Sequence, residues 1–166
     1  GVAHCPISNM KLSSGIARIP EMLKLGVRVG LAVDGSASND GSDLLEELRT
    51  GFLLHRLNSS SAAPTGYDML KIATRGSASI LGRDDIGQIA EGMAADFFLI
   101  NMDRLSLTGA QFDVSSMLGT VGYKGNVDYT VVNGRVVVRE GRLTGVDEEK
   151  ITAEANHCVS RYLGRS

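Results

Sequence analysis

Tryptophan is absent from this 166-residue chain and aromatic residues make up only 5 % of it, so there is little from which to build the stacking platforms of nucleic-acid binders. An excess of charge of one sign is missing too. The 17 basic residues stand against 19 acidic ones, a formal net charge of −2, with no pull toward nucleic acid or an anionic membrane. No apolar run reaches the length of a membrane span. Cysteine is scarce: Cys5 and Cys158 lie near opposite ends and form no CxxC. They mark no disulfide framework, which favours a reducing, cytosolic setting, and nothing flanking Cys5 would activate a thiolate. GxGxxG and GK[ST] are lacking, which excludes a dinucleotide or phosphate cradle. The H-x-E and P-C-x-x-C pair of cytidine deaminases is lacking as well.

What is present is ordinary globular protein. Hydrophobic residues make up 43 % and charged residues 22 %, enough for one domain or two small pieces. The first stretch reads as strand, helix, strand, helix. Val2 to His4 is a strand end stopped by Pro6, and Ile19 to Leu25 a short helix with Pro20 in its first turn. Val27 to Val33 is a nearly unbroken apolar run of the kind found in a parallel strand covered on both faces. A longer helix starts near Asp43, with Glu46 as its capping-box partner and Leu44, Leu48, Phe52 and His55 predicted to face inward. Two short helices, Tyr67 to Ile72 and Gly76 to Leu81, are expected to break at Arg75-Gly76. Beyond Ile86 the pattern turns to strands: Phe97 to Ile100, then Tyr129 to Val132 and Arg135 to Val138 joined by the hairpin pair Asn133-Gly134. An amphipathic helix from Asp147 to Leu163 ends the chain, with Ile151, Ala155, Val159 and Tyr162 on one face.

Asp34 is the residue that carries chemistry. It closes the apolar run and opens the glycine-rich segment Gly35 to Gly41, the place where α/β proteins and barrels keep catalytic groups. Asp-Gly is also a common turn pair, and on that pair alone a turn is the better reading. The neighbouring residues reverse the preference.

Val-Ala-His4-Cys5-Pro6-Ile7-Ser8-Asn9-Met10-Lys11-Leu12 with Gly15-Ile16-Ala17 resembles the penultimate barrel strand and loop of the amidohydrolase superfamily. Val29-Gly30-Leu31-Ala32-Val33-Asp34-Gly35 with Ser38-Asn39 is similar to its last barrel strand. Ala73-Thr74-Arg75-Gly76-Ser77-Ala78 resembles the helix after the barrel. Gly87 to Asp96, Val131 to Val137 and Glu140 to Leu143 resemble its small β domain. The spelling is most like the aminohydrolase and chlorohydrolase branch, and within it 8-oxoguanine deaminases. This implies an α/β fold: the last two strand–helix units of a TIM (β/α)8 barrel over residues 1–85, part of a small β-sandwich over 86–146, and a C-terminal helix over 147–166.

The resemblance also implies roles. Asp34 would bind a divalent metal, usually zinc, and exchange a proton with the water that metal activates. The activity implied is deamination of a small nitrogen heterocycle of the 8-oxoguanine, guanine or pterin type. A triazine chlorohydrolase or aminohydrolase is the alternative, as is a non-catalytic association piece. His4, Asn9, Ser36 and Asn39 are candidate substrate contacts. Each has a plainer reading: a histidine satisfied by the backbone for His4, and loop capping or rigidity for the others. His55 reads as packed and His157 as solvent-facing. The chain departs from the family pattern in one respect: its only histidines are His4, His55 and His157, with no HxH pair. One carboxylate cannot hold zinc, since catalytic sites use three or more protein ligands. The expectation is therefore a C-terminal portion, inactive alone, completed by an N-terminal part of the same polypeptide, and prone to self-association as a homo-oligomer through open strand edges.

Overall fold

A computed structural model describes residues 1–165; Ser166, the last position of the expected terminal segment, lies outside the described residues. Strand β1 (Val2–His4) ends at Pro6, whose missing amide costs nothing in the first turn of helix α1 (Pro6–Lys11). Helix α2 (Ile19–Lys24) again carries a proline in its first turn, Pro20. It leads to β2 (Val29–Leu31), which is buried throughout. β2 pairs in parallel with β1, Val2 against Val29 and His4 against Leu31. The paired strand is shorter than the apolar run Val27 to Val33 because β1 offers only three residues to pair with. The parallel direction puts the C-terminal ends of both strands, and the loops that follow them, on one edge.

Helix α3 (Leu44–Ser59) is capped by Asp43, whose carboxylate accepts from the amides of Leu45 and Glu46 at 2.9 and 3.3 Å. Its buried face is Glu47, Leu48, Gly51 and His55. Leu44, expected on that face, stands one turn ahead of the buried patch and is 40 % exposed. Helix α4 (Gly66–Lys71) opens with a reciprocal capping box between Thr65 and Asp68. It continues through a π-helical turn (Ile72–Gly76) into α5 (Ser77–Ile80). The predicted break at Arg75-Gly76 is therefore absent. Gly76 keeps helical φ of −62° and is required for a different reason: a β-carbon there would lie 2.0 Å from the Val29 carbonyl oxygen. That close approach lets the Ser77 hydroxyl accept from the Leu31 amide at 3.2 Å, so the helix is bonded directly to β2.

Strand β3 (Phe97–Leu99) begins the second sheet. Before the next strand the chain returns to the helices through two 3₁₀ turns (Leu105–Leu107, Ala110–Asp113) and α6 (Met117–Thr120). Leu107, Ala110, Met117 and Leu118 there join Ile19, Val29, Leu31, Leu48, Met69 and Ile72 in one core cluster. Strands β4 (Tyr129–Val132), β5 (Arg135–Arg139) and β6 (Arg142–Leu143) follow. They complete an antiparallel sheet of order β3-β4-β5-β6. Asn133 and Gly134 adopt φ of 46° and 76°, the positive values that a two-residue hairpin turn demands. Helix α7 (Glu148–Tyr162) is capped by Asp147, which accepts from the Lys150 amide at 2.9 Å. No residue of α7 is buried, so its apolar face is open. Among the described residues no helix is long and apolar enough to cross a membrane.

Candidate active site at the edge of the parallel strands

The loops leaving β1 and β2 meet on their shared edge. Ser8, in the first turn of α1, donates its hydroxyl to Asp34 Oδ2 at 2.6 Å. Asp34 itself is exposed and has φ of +63°, a left-handed conformation that Asp tolerates better than most residues but that still needs support from its surroundings. The Ser8 hydroxyl, followed by the Gly35 amide and the Ser38 hydroxyl, holds the Asp34 carboxyl below the usual carboxylate range. It is anionic at neutral pH and faces outward from the strand ends. The single Ser38 hydroxyl proton has a second acceptor within reach, the Gly35 carbonyl at 2.9 Å, in the turn that follows. On the loop's outer side Lys11 pairs with Asp40 at 2.6 Å.

Beneath this exposed carboxylate lies a buried one. Glu47 is 0 % exposed, and burial pushes its carboxyl up. One oxygen accepts from the Asn39 side-chain amide at 2.5 Å and the other from the Ile7 backbone amide at 3.1 Å. Asn39 in turn accepts from the amides of Gly41 and Ser42 at 3.2 and 3.4 Å. Glu47 was not singled out in the sequence. The signal that could have found it is a charged residue one helical turn from Gly51 and two from His55, on the face of α3 that turns inward.

The candidate residues separate on this geometry. Asp34 and Ser36 are exposed on the loop after β2, and Asn9 is half-buried in α1. Asn39 is buried, with its amide given to Glu47 and its carbonyl oxygen to the loop. His4 is 1 % exposed and its Nε2 stands 3.0 Å from Nε2 of His55, which is 0 % exposed. The His4 ring is therefore turned to α3. Its pKa is lowered to about 4, by burial first and by the neighbouring His55 second, and burial lowers that of His55 as well. Both Nδ1 atoms lack a partner among the described residues.

The chain's own donors fit a metal only in part. Asp34 offers oxygen at an exposed, anionic position, the chemistry a divalent cation takes. Among the described residues no group of three or more His, Cys, Asp or Glu stands close enough to hold a metal ion. Asp34 alone does not make a site for such an ion; further donors would be needed.

Comparison with known proteins places the fold. Residues 1–137 match the model of the Amidohydrolase family. The chain is 43 % identical over 166 residues to a hydroxydechloroatrazine ethylaminohydrolase from Pseudomonas sp. (strain ADP), covering 98 % of this chain and 34 % of that protein. It is 41 % identical over 163 residues to an 8-oxoguanine deaminase from Pseudomonas aeruginosa, covering 98 % and 36 %. It superposes on the crystal structure of an atrazine chlorohydrolase from Arthrobacter aurescens TC1 complexed with zinc. There the TM-score is 0.89 at 36 % identity, over 95 % of this chain and 35 % of that one. The chain thus spans about a third of the length of the proteins it matches. The parallel layer is the last two strand–helix units of a TIM (β/α)8 barrel, and the antiparallel strands are part of a small β-sandwich.

Proposed function

The chain belongs to the Amidohydrolase family, and we propose that it supplies the carboxylate of a metal-dependent hydrolytic centre in a protein that deaminates a nitrogen heterocycle. The observation that carries this reading is Asp34: an exposed carboxylate at the C-terminal edge of two parallel strands, kept anionic by Ser8. That edge is where barrels place their catalytic groups. In this reading Asp34 is one ligand of a divalent metal, zinc, with the remaining donors supplied from elsewhere in the protein. Such a metal lowers the pKa of a water it binds to ~7.

Asp34 has a second task. Ionised at neutral pH, it accepts the proton of the attacking water and delivers it to the departing nitrogen. A carbon–oxygen bond forms at the ring carbon, the carbon–nitrogen bond breaks, and ammonia leaves. Ser36 and Asn9, on the same edge, are proposed to contact the ring, while Asn39 acts from its buried position by holding the loop and His4 packs against His55 of α3. The proposed substrate class is 8-oxoguanine, guanine or a pterin. The similarity to the triazine-directed relatives supports a second reading, in which the same carboxylate serves an alkylamine or chloride leaving group.

The test is ammonia, ethylamine and chloride release by the full-length protein on a panel of 8-oxoguanine, guanine, a pterin and amino- and chloro-triazines. One ring class is expected to be turned over, activity should vanish on chelation, and added zinc should restore it. Asp34→Asn is expected to lower kcat by ~10²–10⁴-fold. Full turnover by that variant, or by metal-stripped protein, would contradict the reading.

A further inference from the structure

Resting on the role given to Asp34 above, we propose that Ser8 is a positioning residue: clamped through Ile7 by the buried Glu47–Asn39 pair, it fixes the direction of the Asp34 carboxylate. Ser8 is 2 % exposed, and its hydroxyl does no capping work, since α1 has no side-chain cap. Its one proton goes to Asp34 Oδ2 at 2.6 Å. A hydroxyl donor held by a helix restrains rotation of the carboxylate, whose other contacts, Gly35 and Ser38, come from its own glycine-rich loop. That restraint is only as good as the placement of α1 relative to the loop after β2.

Glu47 sets that placement. Its two oxygens reach two different loops: one takes the Ile7 amide, the residue before Ser8, and the other takes Asn39, five residues after Asp34. Asn39 extends the hold to Gly41 and Ser42. A single buried carboxylate therefore ties the α1 turn and the Asp34 loop to the same point on α3. Side chains that orient a metal-binding group change metal affinity or activity by ~10–100-fold when removed. Ser8 has the geometry of such a group: a buried donor, one bond from the exposed carboxylate, fixed from behind.

The measurement is a double-mutant cycle in the full-length protein. Ser8→Ala is expected to lower kcat by ~10–100-fold with KM little changed, and to give up its zinc at a lower chelator concentration than the parent. In Asp34→Asn the Ser8→Ala change should add almost nothing, because Ser8 acts through Asp34. Ser8→Cys, close in volume and a weaker donor, should fall between Ser8 and Ala in both readouts, and supplies the same cycle if Ser8→Ala does not fold. Losses that multiply across the two sites would show a merely structural role and overturn the proposal. So would parental kcat and zinc retention in Ser8→Ala. Loss of turnover in Asp34→Asn with normal Ser8→Ala and Ser8→Cys defeats this inference alone. Full turnover in Asp34→Asn defeats the functional reading and the inference with it.

Discussion

The parallel layer and the antiparallel sheet with its trailing helix differ in what holds them and in how much apolar surface they cover. Around β1 and β2, hydrogen bonds join residues far apart in sequence: Ile7 with Glu47, Ser8 with Asp34, Leu31 with Ser77. Around β4 and β5 local determinants carry more of the structure: a two-residue turn with positive φ, whose Asn133 amide Asp96 also accepts from at 2.6 Å, and an N-cap on α7. There the strands keep much apolar surface open, Leu99 at 50 %, Val132 at 49 % and Leu143 at 51 % exposed. The candidate chemistry sits in the first region, where a loop is pinned from several elements at once. A strained, exposed carboxylate such as Asp34 persists only where the surroundings over-determine it.

Two glycines, one from each region, put this contrast to a stability test. Gly76→Ala sets a β-carbon against the Val29 carbonyl and is expected to cost about 3 kcal/mol. Gly134→Ala places an ordinary residue at φ of 76° in open space and is expected to cost about 1 kcal/mol. Denaturant midpoints measure both. Equal costs, or the reverse order, would mean that the two regions are not held differently.

Acid offers a smaller, regional effect. The folded-state pKa of His4 lies near 4, below its ordinary 6.5, so the folded protein resists protonation that the unfolded chain accepts. The stability linked to this group is complete above pH ~6.5 and is lost as pH falls toward the folded value of about 4. His55 is lowered by burial in the same direction, with the Glu21 charge opposing it. Hydrogen exchange, corrected for its intrinsic pH dependence, is expected to show β1 and α3 losing protection between pH 6.5 and 4, with β4 and β5 losing less. Uniform loss across both regions would break the comparison.

The sequence made local features legible and left tertiary ones hidden. Asp34 at the end of an apolar run, the Asn133-Gly134 hairpin and the caps Asp43 and Asp147 are all written in a few adjacent residues, and each is where it was expected. Gly76 was misread because a glycine in a helical pattern looks like a stop, whereas here it admits the backbone of β2. The His4–His55 contact joins residues 51 positions apart, and no spacing rule reports such a pair. The return of residues 105–121 to the helices was equally hidden, since Leu107, Met117 and Leu118 become core only against surfaces built elsewhere in the chain. The apolar face expected on α7 has the right period and is open along its whole length.

The most direct test of the central claim is anomalous scattering at the zinc edge from zinc-loaded crystals of the full-length protein. A zinc peak ~2.0–2.2 Å from a carboxylate oxygen of Asp34 is expected, with Ser8 still bonded to the other oxygen. A fully occupied zinc centre whose ligands do not include Asp34 would contradict it.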